Sequence, residues 1–268
     1  MEKFKKQIRY DFFSGVIKEW KIYIFFCAIL IFQLMIIYVE RVSMYSNATC
    51  TWLDYISYFF LGSEKQGFID KTEGFHLPFE WFFLQIFVLF STAKYPQQDY
   101  EECGYQFWIR TGSKRNWWIS KIVWCFTHVF VYYGLFYFVT FLFNFCLGGD
   151  NGWKITDIWG LHLEQTVNLK LFFILFIMPF IVSVSLCLFT ILCTFCANSI
   201  FALVLDFVIL ISSAYWKSSL LIGNYTMLYR YFPLHTSGGL NLKFGVILCI
   251  FIGILSVILG YYFYDKKE

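Results

Sequence analysis

The chain has 268 residues, of which 59% are hydrophobic, 24% aromatic and 15% charged, with a net charge of +3. Soluble domains carry roughly 25% charged residues, so this composition, with a mean hydropathy of +0.60, excludes a soluble globular protein and points to a polytopic membrane protein. The small net charge gives no electrostatic footprint for nucleic acid.

In chain order, residues 4–20, "FKKQIRYDFFSGVIKEW", place Phe4, Ile8, Phe12, Val16 and Trp20 close to one helical face, with basic groups elsewhere around the wheel. This pattern predicts an amphipathic helix, within 1–21, lying in the membrane interface. No cleavable signal peptide is read, because the first apolar run starts near Ile22 behind a long polar segment and lacks a small-residue cleavage site.

Six spans follow, at about 22–39, 78–95, 118–146, 169–195, 199–216 and 243–263. Pro78 suits the start of the second and Pro96 its end. The block 171–216 is roughly 69 Å long at ~1.5 Å per residue, twice one span, so it must fold back at its polar break, "CANS" (196–199).

With the N-terminus inside, the cytoplasmic segments hold 13 of the 21 basic residues. The positive-inside rule then places both termini in the cytoplasm. Trp117, Trp118 and the terminal "YYFYDKKE" fit an interfacial belt on that side. The external loops are 40–77, 147–168 and 217–242. The first contains "CTWLDYISYFFLG", apolar enough to dip into the outer leaflet, and the third suits a re-entrant helical pair.

Familiar chemistries are missing from the sequence. It has no G-x-x-x-x-G-K-[ST], so it binds no ATP by a P-loop, and His76, His128, His162 and His235 are scattered without H-E-x-x-H. Cys193 and Cys196 form a C-x-x-C inside an apolar span with no second pair, which reads as packing. No catalytic, cofactor or metal site is assigned to the chain. The sequons at Asn47 and Asn224 are assigned no role.

The stretch "QQDYEECGYQFWIRTGSKRN" (97–116) is the only sizeable interior cytoplasmic loop. Topology alone needs only Lys and Arg there, yet Asp99, Glu101 and Glu102 precede Arg110, Lys114 and Arg115. Charges of both signs fix the register of a docked partner, whereas a solvated loop with incidental acids is the plainer reading.

On these features the chain resembles the six-helix permeases of the type-two ABC exporters, built like the ABCG pumps and the O-antigen exporters. The resemblance rests on the interfacial helix, the six spans with a large first external loop, the acidic-then-"RTGSKRNWWISK" loop, and "GNYTMLYR" (223–230) before the last span. It implies a single permease domain over 1–268 in the cell membrane, like the bacterial peptide exporters of the lantibiotic-immunity kind. It further implies a cytoplasmic coupling helix between spans two and three that contacts a separate ABC ATPase through Asp99, Glu101, Glu102, Tyr105, Arg110, Lys114 and Arg115. Two ATPase copies would carry the ATP and Mg, and a second permease, identical or homologous, would complete the pump. A membrane-embedded enzyme and a non-transporting receptor or assembly factor are the other classes the sequence allows.

Polar residues within the spans are candidates for a translocation seam. Tyr133, Tyr137, Thr140 and Asn144 follow a 4-3-4 spacing in span three, while Ser199, Asp206 and Ser213 share one face of span five. Seam and close helix packing both account for the span-three stripe. Ser183, Cys187, Thr190 and Thr194 in span four read as packing. Asp206, about 10 Å into its span, needs a partner or water, and His128 is the candidate nearest in depth.

Overall fold

In the computed structural model the chain is described over residues 2–44, 50–63, 77–99, 114–156, 165–232 and 238–266. Helix α1 (Glu2–Phe12) continues through a π-helical turn, Phe13–Ile17, toward α2 (Trp20–Met44). Then come α3 (Trp52–Phe59), α4 (Phe79–Asp99) and α5 (Lys114–Cys146). Helix α6 (Leu169–Cys196) carries a π-helical segment at Phe173–Ile177, and α7 spans Ser199–Tyr215. A 3-10 turn (Ile222–Thr226) and the one-turn α8 (Leu228–Tyr231) lead into α9 (Leu242–Lys266).

Four of these helices are long and apolar enough to cross a membrane: Trp20–Glu40, Arg115–Cys146, Leu169–Cys196 and Leu242–Phe263. The protein is therefore a helical membrane protein. Helix α4 is less apolar than these because it lies among other helices, packing on α6 and α7. Gln85 and Thr92 on it are fully buried, so protein rather than lipid receives their polar groups. Pro96 does not end α4, which runs on to Asp99. The proline removes one backbone donor, and Asp99 is held beyond it by Trp117 and Lys121.

The turn at 196–199 is as tight as the sequence predicts. Asn198 accepts the Phe201 N–H at 2.7 Å, capping α7. Similarly, Thr51 and Asp54 form a reciprocal capping box that starts α3. The segment expected as a re-entrant pair forms the 3-10 turn and α8, with Ile222 to Leu228 all buried. Residues 59–62 hold this segment through Leu228 N–H to Phe60 O at 2.7 Å and Tyr229 N–H to Leu61 O at 3.2 Å. Gly62 sits beside Met227 with φ of +71°, where a β-carbon would be strained and crowded.

The architecture is all-α as expected, with one small addition, a two-residue antiparallel ribbon between Lys154–Ile155 and Gln165–Thr166. One expectation is corrected here. Trp117 and Trp118 do not form an interfacial belt. They are 0% and 3% exposed, and both rings meet Phe195 edge-on, at 5.6 and 5.8 Å. Trp118 donates its indole N–H to Val257 O at 3.1 Å, so the pair serves helix packing.

Candidate functional site

The two ends of the 97–116 stretch come together on α1. Lys121 lies two turns into α5 and is fully buried, with its Nζ 2.6 Å from Asp11 Oδ1 and 2.6 Å from Asp99 Oδ2. Tyr95 donates its hydroxyl to Asp11 Oδ1 at 3.0 Å, and Trp117 its indole N–H to Asp99 Oδ2 at 3.1 Å. The ammonium also lies 4.7 Å from the Tyr95 ring centre and 5.1 Å from that of Trp117. A buried charge that loses its partner costs about 3–5 kcal/mol, so the three segments are held as a unit.

Of the predicted apolar face, Phe12 on α1 and Trp20 at the start of α2 are 41% and 55% exposed, whereas Val16 is buried. The helix side that carries Gln7, Asp11 and Gly15 packs against α5. At Gly15 a β-carbon would sit 2.2 Å from Trp124 Nε1 and 2.7 Å from the Tyr95 ring, so glycine permits the approach.

Of the residues expected to meet an ATPase, Asp99 faces inward on Lys121 and is 6% exposed, so its carboxylate is not offered to a partner. Lys114 opens α5, and Arg115 is exposed. Glu101, Glu102, Tyr105 and Arg110 lie outside the described residues.

The span-three stripe faces other helices. Tyr133 Oη and Ser183 Oγ are 2.8 Å apart; Ser183 donates to Gln85 Oε1 at 3.0 Å, and Gln85 Nε2 donates to Tyr133 Oη at 3.3 Å. With Ser183 donating to Gln85, the Tyr133 hydroxyl must donate to Ser183, which closes a ring linking α4, α5 and α6. Tyr137 donates to Leu175 O at 2.8 Å, and Thr140 to Phe136 O of its own helix at 2.7 Å. Asn144 ties the end of α5 to the following loop through Asp150 O and Asn151 Oδ1, both at 3.1 Å.

Asp206 is fully buried and accepts from Thr190 Oγ1 at 2.8 Å. His128 is not its partner. Its Nδ1 meets Tyr23 Oη at 2.7 Å and its Nε2 meets Ser91 Oγ at 2.8 Å. Ser213 is fully buried and bonds Ile209 O of its own helix. Within one chain these candidates therefore sit in helix contacts rather than along an opening.

Two groups escaped the sequence reading. Lys121 was counted only as a basic anchor, although its place four residues after Trp117 in an apolar run signals an inward-facing amine. Arg230 is fully buried, and its Nη2 donates to Ser213 O at 3.3 Å and Ala214 O at 2.9 Å, the last carbonyls of α7. A cation there complements the helix dipole, while burial lowers its pKa to about 10. No sequence signal marks it, because its partners are backbone atoms.

No known protein family, curated protein or solved structure matches the chain. Its function is accordingly read from the membrane helices and the polar contacts between them. The most connected of these contacts is the Asp11–Lys121–Asp99 cluster.

Proposed function

We propose that this chain is the permease subunit of an ATP-driven exporter with six spans and both termini in the cytoplasm. In this reading α4 and α7 supply the two spans beyond the four long apolar helices. The 97–116 stretch is the coupling element gripped by a separate ATPase subunit, and two permeases work with two ATPases. The observation that supports it most directly is the Lys121 cluster, which clamps both roots of that stretch to the interfacial helix. A push on the loop would then move α1, α4 and α5 together instead of bending a flexible connection. An aromatic content of 24% suits a hydrophobic or amphipathic cargo, such as a peptide or lipid.

Because the described seam candidates are buried within one chain, apart from the half-buried Tyr137, any pathway would open through rearrangement or between two permeases. The test is affinity purification of the tagged chain from its native membrane, followed by ATP hydrolysis measured in proteoliposomes. Co-purification of an ABC ATPase whose turnover depends on this chain is the expected result. A chain that purifies without any ATPase under mild detergent would instead favour a receptor or membrane enzyme.

A further inference from the structure

Helix α1 has a second face, distinct from the one that carries Gln7 and Asp11. Lys5, Ile8, Arg9 and Phe12 stand at i, i+3, i+4 and i+7, the spacing of one helical stripe. Together with Val123, Trp124 and Thr127 of α5, this stripe lines a groove of about 310 Å³. Small-molecule sites run from about 300 to 1,000 Å³, whereas one water takes about 30 Å³. The groove is thus large enough for part of an organic molecule.

Its lining is chemically divided. Lys5 and Arg9 are the charged groups, and both are exposed. At a one-turn spacing their β-carbons lie about 5–6 Å apart, close enough for both side chains to serve one anionic group. The remaining walls are apolar in effect. Ile8, Phe12 and Val123 carry no polar side-chain atom, and Thr127 spends its hydroxyl on Val123 O of its own helix, at 2.7 Å. A small soluble anion would gain nothing from such walls, and a plain hydrocarbon would gain nothing from the two cations. The lining therefore suits a molecule that is anionic at one end and apolar along the rest. Exposed Phe12, Phe13, Ile17 and Trp20 extend the apolar surface from α1 toward α2, so this side of the chain meets lipid.

We infer that the groove between α1 and α5 is a binding site for an anionic phospholipid, its phosphate on Lys5 and Arg9 and an acyl chain along Ile8, Phe12 and Val123. The Arg9 guanidinium is a planar fork that can take two phosphate oxygens, and Lys5 adds a point charge on a flexible stem. A zwitterionic lipid suits the place less well, because its own ammonium cancels the charge that the two cations select. Lipid seated there touches both helices, so binding stabilises the folded protein by mass action. The site needs only that α1 lie in a membrane interface, and it stands apart from the export reading.

The test uses the purified full-length protein in nonionic detergent, titrated with phosphatidylglycerol or with phosphatidylcholine of the same chains, and read as melting temperature. The expected result is a saturable rise with phosphatidylglycerol over phosphatidylcholine. Lys5→Gln and Arg9→Gln should each weaken the apparent affinity by about fivefold, the contribution of one cation at an anionic interface. Lys21→Gln, which removes an exposed cation outside the groove, should leave it unchanged. Val123→Phe keeps both cations but fills the groove, and should abolish the preference. Identical melting in the two lipids, as when another protein segment or a second copy fills the groove, would overturn the site. An equal loss in Lys21→Gln, or a full response in Val123→Phe, would reduce it to diffuse attraction and overturn it as well. Glycerol phosphate that reproduces the rise without any chain would overturn the lipid assignment.

Discussion

Lys121 Nζ and Asp11 Oδ1 stand 2.6 Å apart, although 110 residues separate them in the chain. Both side chains are essentially excluded from solvent, so the pair has the energetics of a buried bridge rather than of an exposed one. Such a bridge adds little net stability over an apolar pair, but it strongly penalises any conformation that separates its members. It thereby specifies where α1 sits against α5.

The first prediction follows from that asymmetry. Lys121→Met strands two buried carboxylates and should destabilise the protein by about 3–5 kcal/mol, read as a loss of melting temperature and yield in detergent. Adding Asp11→Asn and Asp99→Asn to Lys121→Met removes the stranded charges and should recover much of that loss. A Lys121→Met protein that melts like wild type would show that the cluster does not seat α1.

Much of the helical layout was legible because lipid demands long apolar runs. The expected 199–216 and 243–263 correspond to Ser199–Tyr215 and Leu242–Lys266. Asn198 as a cap was readable from the polar break alone. The destinations of the polar side chains were not. Stripe spacing put Tyr133 and Tyr137 on one face, but only packing shows that this face meets Ser183 and Leu175 O. Depth suggested His128 for Asp206, whereas azimuth around the helix sends His128 to Tyr23 and Ser91. Lys121 paired with an acid on a separate helix, a contact no local pattern encodes.

The second prediction concerns the ring of Gln85, Tyr133 and Ser183. Hydrogen bonds between membrane helices contribute about 0.6 kcal/mol on average and at most about 1.7. Tyr133→Phe and Gln85→Leu each strip two of the three contacts, so both should cost toward the upper end of that range. The double variant should cost less than the two losses added, since each substitution already breaks the ring. Strict additivity in thermal melts would show that the three groups do not act as one network.

The third prediction concerns pH and Asp54. Asp54 accepts Thr156 N–H and Thr156 Oγ1–H, both at 2.8 Å, joining α3 to the segment after the ribbon strand Lys154–Ile155. Burial raises its pKa above the ordinary carboxylate value, outweighing the hydrogen bonds from Thr51 and Thr156 that lower it. A raised folded pKa means that its contribution to stability is complete below the unfolded value of about 3.9 and is lost as pH climbs through the folded value. The difference in melting temperature between wild type and Asp54→Asn should therefore shift against wild type as pH rises across that window. A difference that stays constant with pH would show that Asp54 does not titrate in this range.

The last prediction concerns Asp206. Its Oδ2 is held by Thr190, while its Oδ1 has no partner among the described residues. Thr190 Oγ1 also reaches Leu186 O at 2.9 Å, so it keeps a partner when the carboxyl is removed. A structural role for Asp206 is thus worth one interhelical hydrogen bond, against an insertion cost of about 2.5–3.5 kcal/mol for an acid deep in a span. Asp206→Asn should fold like wild type, because the amide oxygen still accepts from Thr190. Asp206→Leu should insert at least as well, and lose no more than about 1–2 kcal/mol of thermal stability. If the proposed export function holds, the deciding measurement is ATPase-coupled export by the Leu variant in proteoliposomes at matched protein amounts. Lost export with retained stability would place Asp206 in the working cycle, where the free Oδ1 meets a partner in another state. Wild-type stability together with wild-type export would show that this carboxyl serves neither transport nor packing.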